Sequence, residues 1–298
     1  MRVLITGATG LLGKALIETA DSGSEIIGTY IGDYQMPSTE NVKYYKTDMS
    51  DTDGLEKIFK SVKPDVVIHA ASIGSPDFAE KHRDLTWKIN VNGTSRAVSC
   101  CESIGAKFIY ISSNGIYDGD HAPYGEDDHA APVNFYGKTK LEGEKVSRQA
   151  RIPVAIVRPI LMYGWNHKFE RSNIVTSSLQ KMAKGDKIFA YDDVFSNPLF
   201  SASCADAIWK IIEKGLYEDF NISGSETDSI YGLLTKAADV FGFDRSLITP
   251  VKQGYFNELV KRPKDTSYKT GKMEKMLSVK PLGIIEGLSI MRDKRDGQ

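Results

Sequence analysis

The chain has 298 residues, with 38 Lys plus Arg against 39 Asp plus Glu and a formal net charge of −1. That balance argues against a nucleic-acid or anionic-membrane binder. A composition of 41% hydrophobic and 26% charged residues excludes wholesale disorder. No run approaches the ~18 consecutive apolar residues of a membrane span, and the N-terminal MRVLITGATGLLG is too short and glycine-rich for a secretory segment. Three cysteines, Cys100, Cys101 and Cys204, make no disulfide framework and suit a reducing cytoplasm. No CxxC or HExxH spacing suggests a metal. The expectation is a cytoplasmic protein with neither a nucleic-acid nor a membrane partner.

In chain order, β-branched runs predict strands at Arg2–Thr6, Glu25–Tyr30, Lys43–Lys46, Asp65–His69, Lys107–Ile111 and Val154–Val157. Helical patterns fall between them at Leu11–Thr19, Asp53–Lys60, Asp84–Cys101 and Asn134–Gln149. The alternation predicts an α/β fold, a Rossmann-type doubly wound parallel sheet. Runs such as VVIHAA suit strands covered on both faces. Beyond about residue 160 the rhythm loosens, with helices at Asn173–Lys184, Cys204–Gly215 and Ile230–Phe241. This divides the chain into a first, doubly wound domain, 1–160, and a smaller C-terminal α+β lobe, 161–298. The helix near 203–216 is expected to pack back on the sheet. The charged tail Arg292–Gln298 reads as a solvated end.

The first strand runs into Thr6-Gly7-Ala8-Thr9-Gly10-Leu11-Leu12-Gly13. Gly7 suits a tight turn, Gly10 lets a pyrophosphate approach the backbone, and Gly13 allows close helix–strand packing. The helix that follows offers unpaired N–H groups to phosphates. At the end of the second strand an acid selects the 2′-hydroxyl of NAD and an Arg the 2′-phosphate of NADP. Here Tyr30 holds that position, Asp33 follows three residues later, and no Arg occurs between Lys14 and Arg83. The sequence leaves NAD and NADP both open. Asp48 and Met49 follow the third strand, where a carboxylate either accepts from the adenine amino group or caps a helix.

Tyr136 and Lys140 are four residues apart on one helix face. An ammonium beside a phenol lowers the phenol's pKa from ~10 toward the working range of an acid or base. Tyr268 and Lys272 share that spacing, so spacing alone is weak. Context favours Tyr136, because the fifth strand ends in Ser112-Ser113 at the carboxyl edge of the sheet, where ligands bind. Ser113 is favoured over Ser112 as the hydroxyl that bonds a substrate carbonyl. His69 reads as a structural histidine within the sheet.

With the TGxxGxxG turn, Asp48, His69-Ala70-Ala71-Ser72, Ser113 and the Tyr136/Lys140 pair, the chain resembles the extended short-chain dehydrogenase/reductase superfamily. Ser112-Ser113-Asn114-Gly115-Ile116-Tyr117-Asp118-Gly119, the YGKTKLEGE run from Tyr136, Asp77 with Glu80, Asn173-Ile174-Val175 and Arg262-Pro263-Lys264-Asp265-Thr266-Ser267 are similar to signatures of dTDP-4-dehydrorhamnose reductases. The resemblance implies an NAD(P)(H) cofactor, contacted further at Ala70, Ala71, Ser72, Asn90 and Pro159. It also implies hydride transfer with Tyr136 as proton donor or acceptor, and a homodimer. Its substrate is a nucleotide-activated sugar, met by Ser113, Asn114, Asn173 and Arg262. For Arg262 the residue alone fits a diphosphate contact or an ion pair equally. The family's Asp after the catalytic hydroxyl is Asn114 here and its next Tyr is Gly115, so the acid and base of a sugar dehydratase are missing.

Three functions follow. The first is a reductase of a keto sugar. The second is an epimerase that retains NAD and uses the same three residues. The third is a regulatory nucleotide-binding subunit, because the sequence also resembles the methionine adenosyltransferase β subunit. The retained Ser113, Tyr136 and Lys140 favour an enzyme.

Overall fold

The structure is a computed structural model and describes residues 1–296. The strands are β1 (Arg2–Thr6), β2 (Glu25–Tyr30), β3 (Val42–Lys46), β4 (Val66–His69), β5 (Lys107–Ile111), β6 (Val154–Pro159), β7 (Met162–Tyr163), β8 (Ile188–Tyr191), β9 (Phe195–Ser196), β10 (Leu199–Phe200), β11 (Asp219–Ile222), β12 (Asp228–Ser229) and β13 (Ile248–Val251). The α-helices are α1 (Leu11–Glu18), α2 (Thr52–Val62), α3 (Pro76–Lys81), α4 (Arg83–Trp87), α5 (Gly93–Ile104), α6 (Phe135–Arg148), α7 (Ile174–Met182), α8 (Ser201–Lys214), α9 (Ile230–Phe241) and α10 (Ile284–Asp296).

Seven strands form one parallel sheet in the order β11-β6-β5-β4-β1-β2-β3. Alternation along β1 explains its two faces. Val3 and Ile5 pack with Leu12 and Leu16 of α1 and Ile208 and Ile211 of α8. Leu4 joins Leu55 and Phe59 of α2 and Val98 and Cys101 of α5 on the other face. A sheet covered on both sides needs apolar residues at nearly every strand position, as the central strands β1, β4, β5 and β6 carry, whereas the edge strand β3 (VKYYK) is largely exposed. The strand order reverses between β1 and β4, which opens a crevice at the carboxyl ends of the strands.

The expected boundary at residue 160 is crossed twice. The helix expected to pack back is α8, and β11 also returns, pairing with β6 from Asp219↔Ile156 to Ile222↔Pro159. The smaller lobe is built from α7, α9, α10 and the β8/β13 and β9/β12 pairs around Leu179, Leu233, Leu234 and Leu288. The charged tail is exposed at Arg292, Asp293 and Lys294, as expected, and is helical, with α10 continuing to Asp296; residues 297–298 lie outside the described residues. The long helix expected over Asp84–Cys101 is interrupted by a π-helical segment, Lys88–Asn92. Among the described residues, no helix is long and apolar enough to cross a membrane.

Candidate active site

The glycine turn between β1 and α1 is shaped for a phosphate. Gly7 sits at φ 70°, and a Cβ there would lie 2.9 Å from the Ala71 backbone. A Cβ on Gly13 would collide with the Gly7 carbonyl and lie 2.6 Å from Ala8 backbone atoms. A Cβ on Gly10 would meet only the Gly7 carbonyl oxygen, at 3.4 Å, so that side of the turn is open. Gly10 caps α1 without a side-chain acceptor, leaving the first helical N–H groups free to bind an anion. These features fit a dinucleotide pyrophosphate. Leu12 points into the core, and Leu11 is partly exposed beside the turn.

The end of β2 is aromatic. Tyr30 is buried and stacks on Tyr34 with ring centroids 5.4 Å apart. After β3, the Asp48 carboxylate accepts from the Ser50 backbone N–H (2.6 Å), whereas the cap of α2 is Asp51, which accepts from Gly54 (3.1 Å). Met49 is buried in the core against Gly93. Beyond β4, Ala70 and Ala71 line the crevice edge beside the turn, and Ser72 is exposed. Pro159 is buried at the end of β6.

Asn90 lies in the π-helical segment and makes the backbone contacts of a supporting residue. Its carbonyl oxygen accepts from Ile73 N (2.8 Å), and its NH2 donates to Ile73 O (3.1 Å) and Thr139 Oγ1 (3.0 Å). The amide is therefore taken up in tying the loop after β4 to α6. The π turn widens the helix where that side chain must reach sideways, a use such bulges often serve near sites. His69 bridges Thr6 and Thr94 inside the sheet at 2.8 and 3.1 Å, and burial lowers its pKa to about 3.

Ser113, Tyr136 and Lys140, the residues expected to be catalytic, converge at the end of β5. Asn134 caps α6 by accepting from Gly137 N at 3.0 Å. Gly137 and Gly143 let α6 lie close: a Cβ on either would run into the Gly115 carbonyl or the Tyr110 ring. This approach brings Tyr136 against Gly115, on whose flank Ser113 Oγ also lies, so the phenol and the hydroxyl are neighbours. Ser113 Oγ also accepts from Gly115 N at 3.1 Å. Ser112 faces the other way and donates to the buried Glu144 carboxylate at 2.6 Å, which the Arg158 guanidinium grips at 2.8 Å through two nitrogens. Of the two neighbouring hydroxyls, Ser112 is thus tied into a buried ion pair and Ser113 is not.

One electrostatic expectation is corrected. Lys140 does not hydrogen-bond Tyr136; its ammonium donates to the Ile111 carbonyl (2.5 Å) and lies 4.6 Å from the centre of the Tyr110 ring. Burial lowers the Lys140 pKa to about 7, opposed by Glu144 one turn along. Tyr136 keeps part of its surface exposed, yet desolvation raises its pKa, and the nearby Ser113 hydroxyl offsets only part of that rise.

The substrate side agrees less with the sequence reading. Asn114 stands beside Ser113 and donates to Thr266 Oγ1 (2.7 Å), so it links the catalytic loop to the RPKDTS segment. Asn173 is consumed by capping: its oxygen accepts from Val175 and Thr176, and its NH2 donates to Gly164 O and Asn166 Oδ1. Arg262 pairs with Asp77 (2.6 Å) and Glu258 (3.3 Å), bridging α3 to the smaller lobe. The Asn173 amide is thereby fully engaged, whereas Arg262 keeps part of its guanidinium outside these two pairs. Tyr268 is buried against Tyr117, and Lys272 pairs with Glu218, so that second spacing match is structural. Among the described residues, no cluster of three or more His, Cys, Asp or Glu could hold a metal. Sequence reasoning missed Tyr34 and Glu170, which meet over Thr9. Their contact joins positions 136 residues apart and leaves no local pattern.

A seven-stranded parallel sheet, a glycine turn on its first strand and the Ser113–Tyr136–Lys140 group at its fifth define an extended short-chain dehydrogenase/reductase. The model of the RmlD substrate binding domain family matches residues 1–294, and the chain belongs to that family. The β subunit of methionine adenosyltransferase 2 from Bos taurus is 31% identical over 258 residues, covering 84% of this chain and 75% of that protein. A dTDP-4-dehydrorhamnose reductase from Bacillus anthracis, crystallised in complex with NADP, has a TM-score of 0.85 at 25% identity, covering 98% of this chain and 99% of that one. A dTDP-4-dehydrorhamnose reductase from Clostridium acetobutylicum has a TM-score of 0.85 at 26% identity, covering 99% and 100%.

Proposed function

We propose that the chain is an NAD(P)H-dependent reductase of a keto group on a nucleotide-activated sugar. The observation that carries this reading is the juxtaposition of Ser113 and Tyr136 beside Gly115 at the carboxyl edge of the sheet. A proton donor must carry its proton before the reaction begins, and a phenol, with an ordinary pKa of about 10, does so at neutral pH.

The glycine turn binds the pyrophosphate of the dinucleotide, and the reduced nicotinamide, when bound, supplies hydride to the carbonyl carbon. Ser113 donates a hydrogen bond to the carbonyl oxygen and polarises it. Tyr136 gives its proton to that oxygen as negative charge develops there. Lys140, one turn further along α6, bonds the cofactor ribose and makes deprotonation of Tyr136 easier as its own charge is drawn to the developing phenolate. Asn90 and Asn114 position this group, the first through Thr139 and the second through Thr266.

The test measures consumption of NADH or NADPH with dTDP-, UDP- and GDP-linked 4-keto sugars, comparing the natural chain with Tyr136→Phe. Turnover that falls by about 10²–10⁴-fold in the variant, with cofactor binding intact, supports the reading. Cofactor binding by both proteins with no consumption on any sugar overturns it. A second reading, a nucleotide-binding regulatory subunit, is favoured by the 31% identity to the methionine adenosyltransferase 2 β subunit. Copurification with a larger partner, without turnover, would support that reading instead.

A further inference from the structure

The smaller lobe returns one carboxylate to the glycine turn. Glu170, in the segment between β7 and α7, accepts from Thr9 Oγ1 at 2.6 Å and from the Tyr34 hydroxyl at 2.7 Å. Tyr34 and Thr9 are themselves 3.1 Å apart, so the three groups close a triangle. Tyr34 stacks on Tyr30, the last residue of β2, and Phe169 packs on Tyr34 with ring centroids 3.9 Å apart. Burial, with Glu170 nearby, pushes the Tyr34 phenol up to about 12, so it stays a donor.

Two landmarks fix what this place is for. In a doubly wound sheet the dinucleotide pyrophosphate lies on the first glycine turn, and the adenosine ribose lies beside the end of the second strand. Thr9 belongs to the first landmark; Tyr30 and Tyr34 belong to the second. Glu170 touches Thr9 and Tyr34 and therefore stands between the landmarks that bracket the ribose. The end of β2 supplies no acid of its own there. Asp33 is fully exposed and pairs with Lys46 at 3.0 Å. Lys168 and Arg171 flank Glu170 on the same exposed segment, but neither joins the triangle.

We propose that Glu170 is the ribose selector of this chain: it accepts from the adenosine 2′-hydroxyl of NAD(H) and repels the 2′-phosphate of NADP(H). The carboxylate that this fold ordinarily takes from its second strand is supplied by the other lobe. The proposal rests on the glycine turn being a dinucleotide site. It resolves the cofactor preference that the sequence left open, and it makes the smaller lobe a wall of the cofactor site.

The test titrates the full chain with NADH and with NADPH, following cofactor fluorescence, for the natural protein, Glu170→Gln and Arg171→Ala. Each variant's thermal midpoint checks its fold. The natural chain is expected to bind NADH about tenfold or more tightly than NADPH, and Glu170→Gln to narrow that ratio severalfold, chiefly by tighter NADPH binding. Equal or tighter binding of NADPH by the natural chain overturns the proposal, and loss of an NADPH preference in Arg171→Ala would assign selection to that cation. Equal weakening of both cofactors in Glu170→Gln also overturns it, reducing Glu170 to a structural latch. Failure of every protein to bind either cofactor would instead remove the dinucleotide reading itself, and the proposal with it.

Discussion

Ser112 and Ser113 are neighbours in the chain, but Ser112 Oγ donates to Glu144 at 2.6 Å while Ser113 Oγ faces Tyr136. Successive residues leaving a strand point to opposite sides, so a single step separates a support from a reactive group. Ser112→Ala leaves Glu144 without one donor and is expected to cost about 1–2 kcal/mol of stability while largely preserving turnover. Ser113→Ala is expected to keep the thermal midpoint and lower turnover on a keto sugar by about 10²-fold. Melting and steady-state rates on both variants check this, and the reverse pattern would exchange the two roles.

The glycine turn yields a second contrast. Gly13→Ala drives a Cβ into the Gly7 carbonyl and the Ala8 backbone, so the fold itself should weaken, with a clearly lower thermal midpoint. Gly10→Ala meets only one backbone oxygen, at 3.4 Å, and should fold normally but lose most dinucleotide affinity, because its methyl projects into the open side of the turn. Circular dichroism melts beside cofactor titrations separate the effects. A Gly10→Ala protein that binds cofactor normally would place the pyrophosphate elsewhere.

His69 gives the pH dependence a definite sign. Burial lowers its pKa in the folded protein to about 3, against about 6.5 for a free histidine. Between those values the unfolded chain holds the proton and the folded chain does not. Stability therefore falls as pH drops from about 6.5 toward 3, with a slope contribution of at most about 1.4 kcal/mol per pH unit. Denaturant melts from pH 7 to pH 4 should show a shallower acid limb for His69→Gln than for the natural chain. Parallel limbs would assign the acid sensitivity to other groups.

Asn173 tests the substrate side. Its side chain caps α7, so Asn173→Ala should cost about 1 kcal/mol of stability and leave the KM for a sugar nucleotide unchanged. A KM that rises severalfold at unaltered stability would return Asn173 to the substrate site.

What the sequence disclosed depends on how local each cause is. β1, β2 and β5 have the predicted bounds because their apolar runs are short and flanked by turn residues. The glycine turn and the Tyr136/Lys140 spacing are likewise local patterns. Asn90 looked like one position in a continuous helix, yet its partners Ile73 and Thr139 lie 17 and 49 residues away. Arg262 and Asp77 each drew notice alone, but their pairing spans 185 residues. The upward shift of the Tyr136 pKa is not legible in the sequence, because spacing shows a neighbouring lysine but not the desolvation that burial imposes.

The return of β11 to the edge of β6 bears on how the protein is made. On the ribosome, the central sheet cannot be completed until residue 222 has emerged, because Asp219–Ile222 is its last strand. Until then β6 presents an unpaired edge, and α8 is not yet in place over Val3 and Ile5. The stretch from Leu161 to Phe200, most of it in the smaller lobe, therefore emerges before the nucleotide-binding fold closes. A fragment ending at residue 160 would be an unfinished sheet, prone to sticking to its own kind, rather than a domain in its own right.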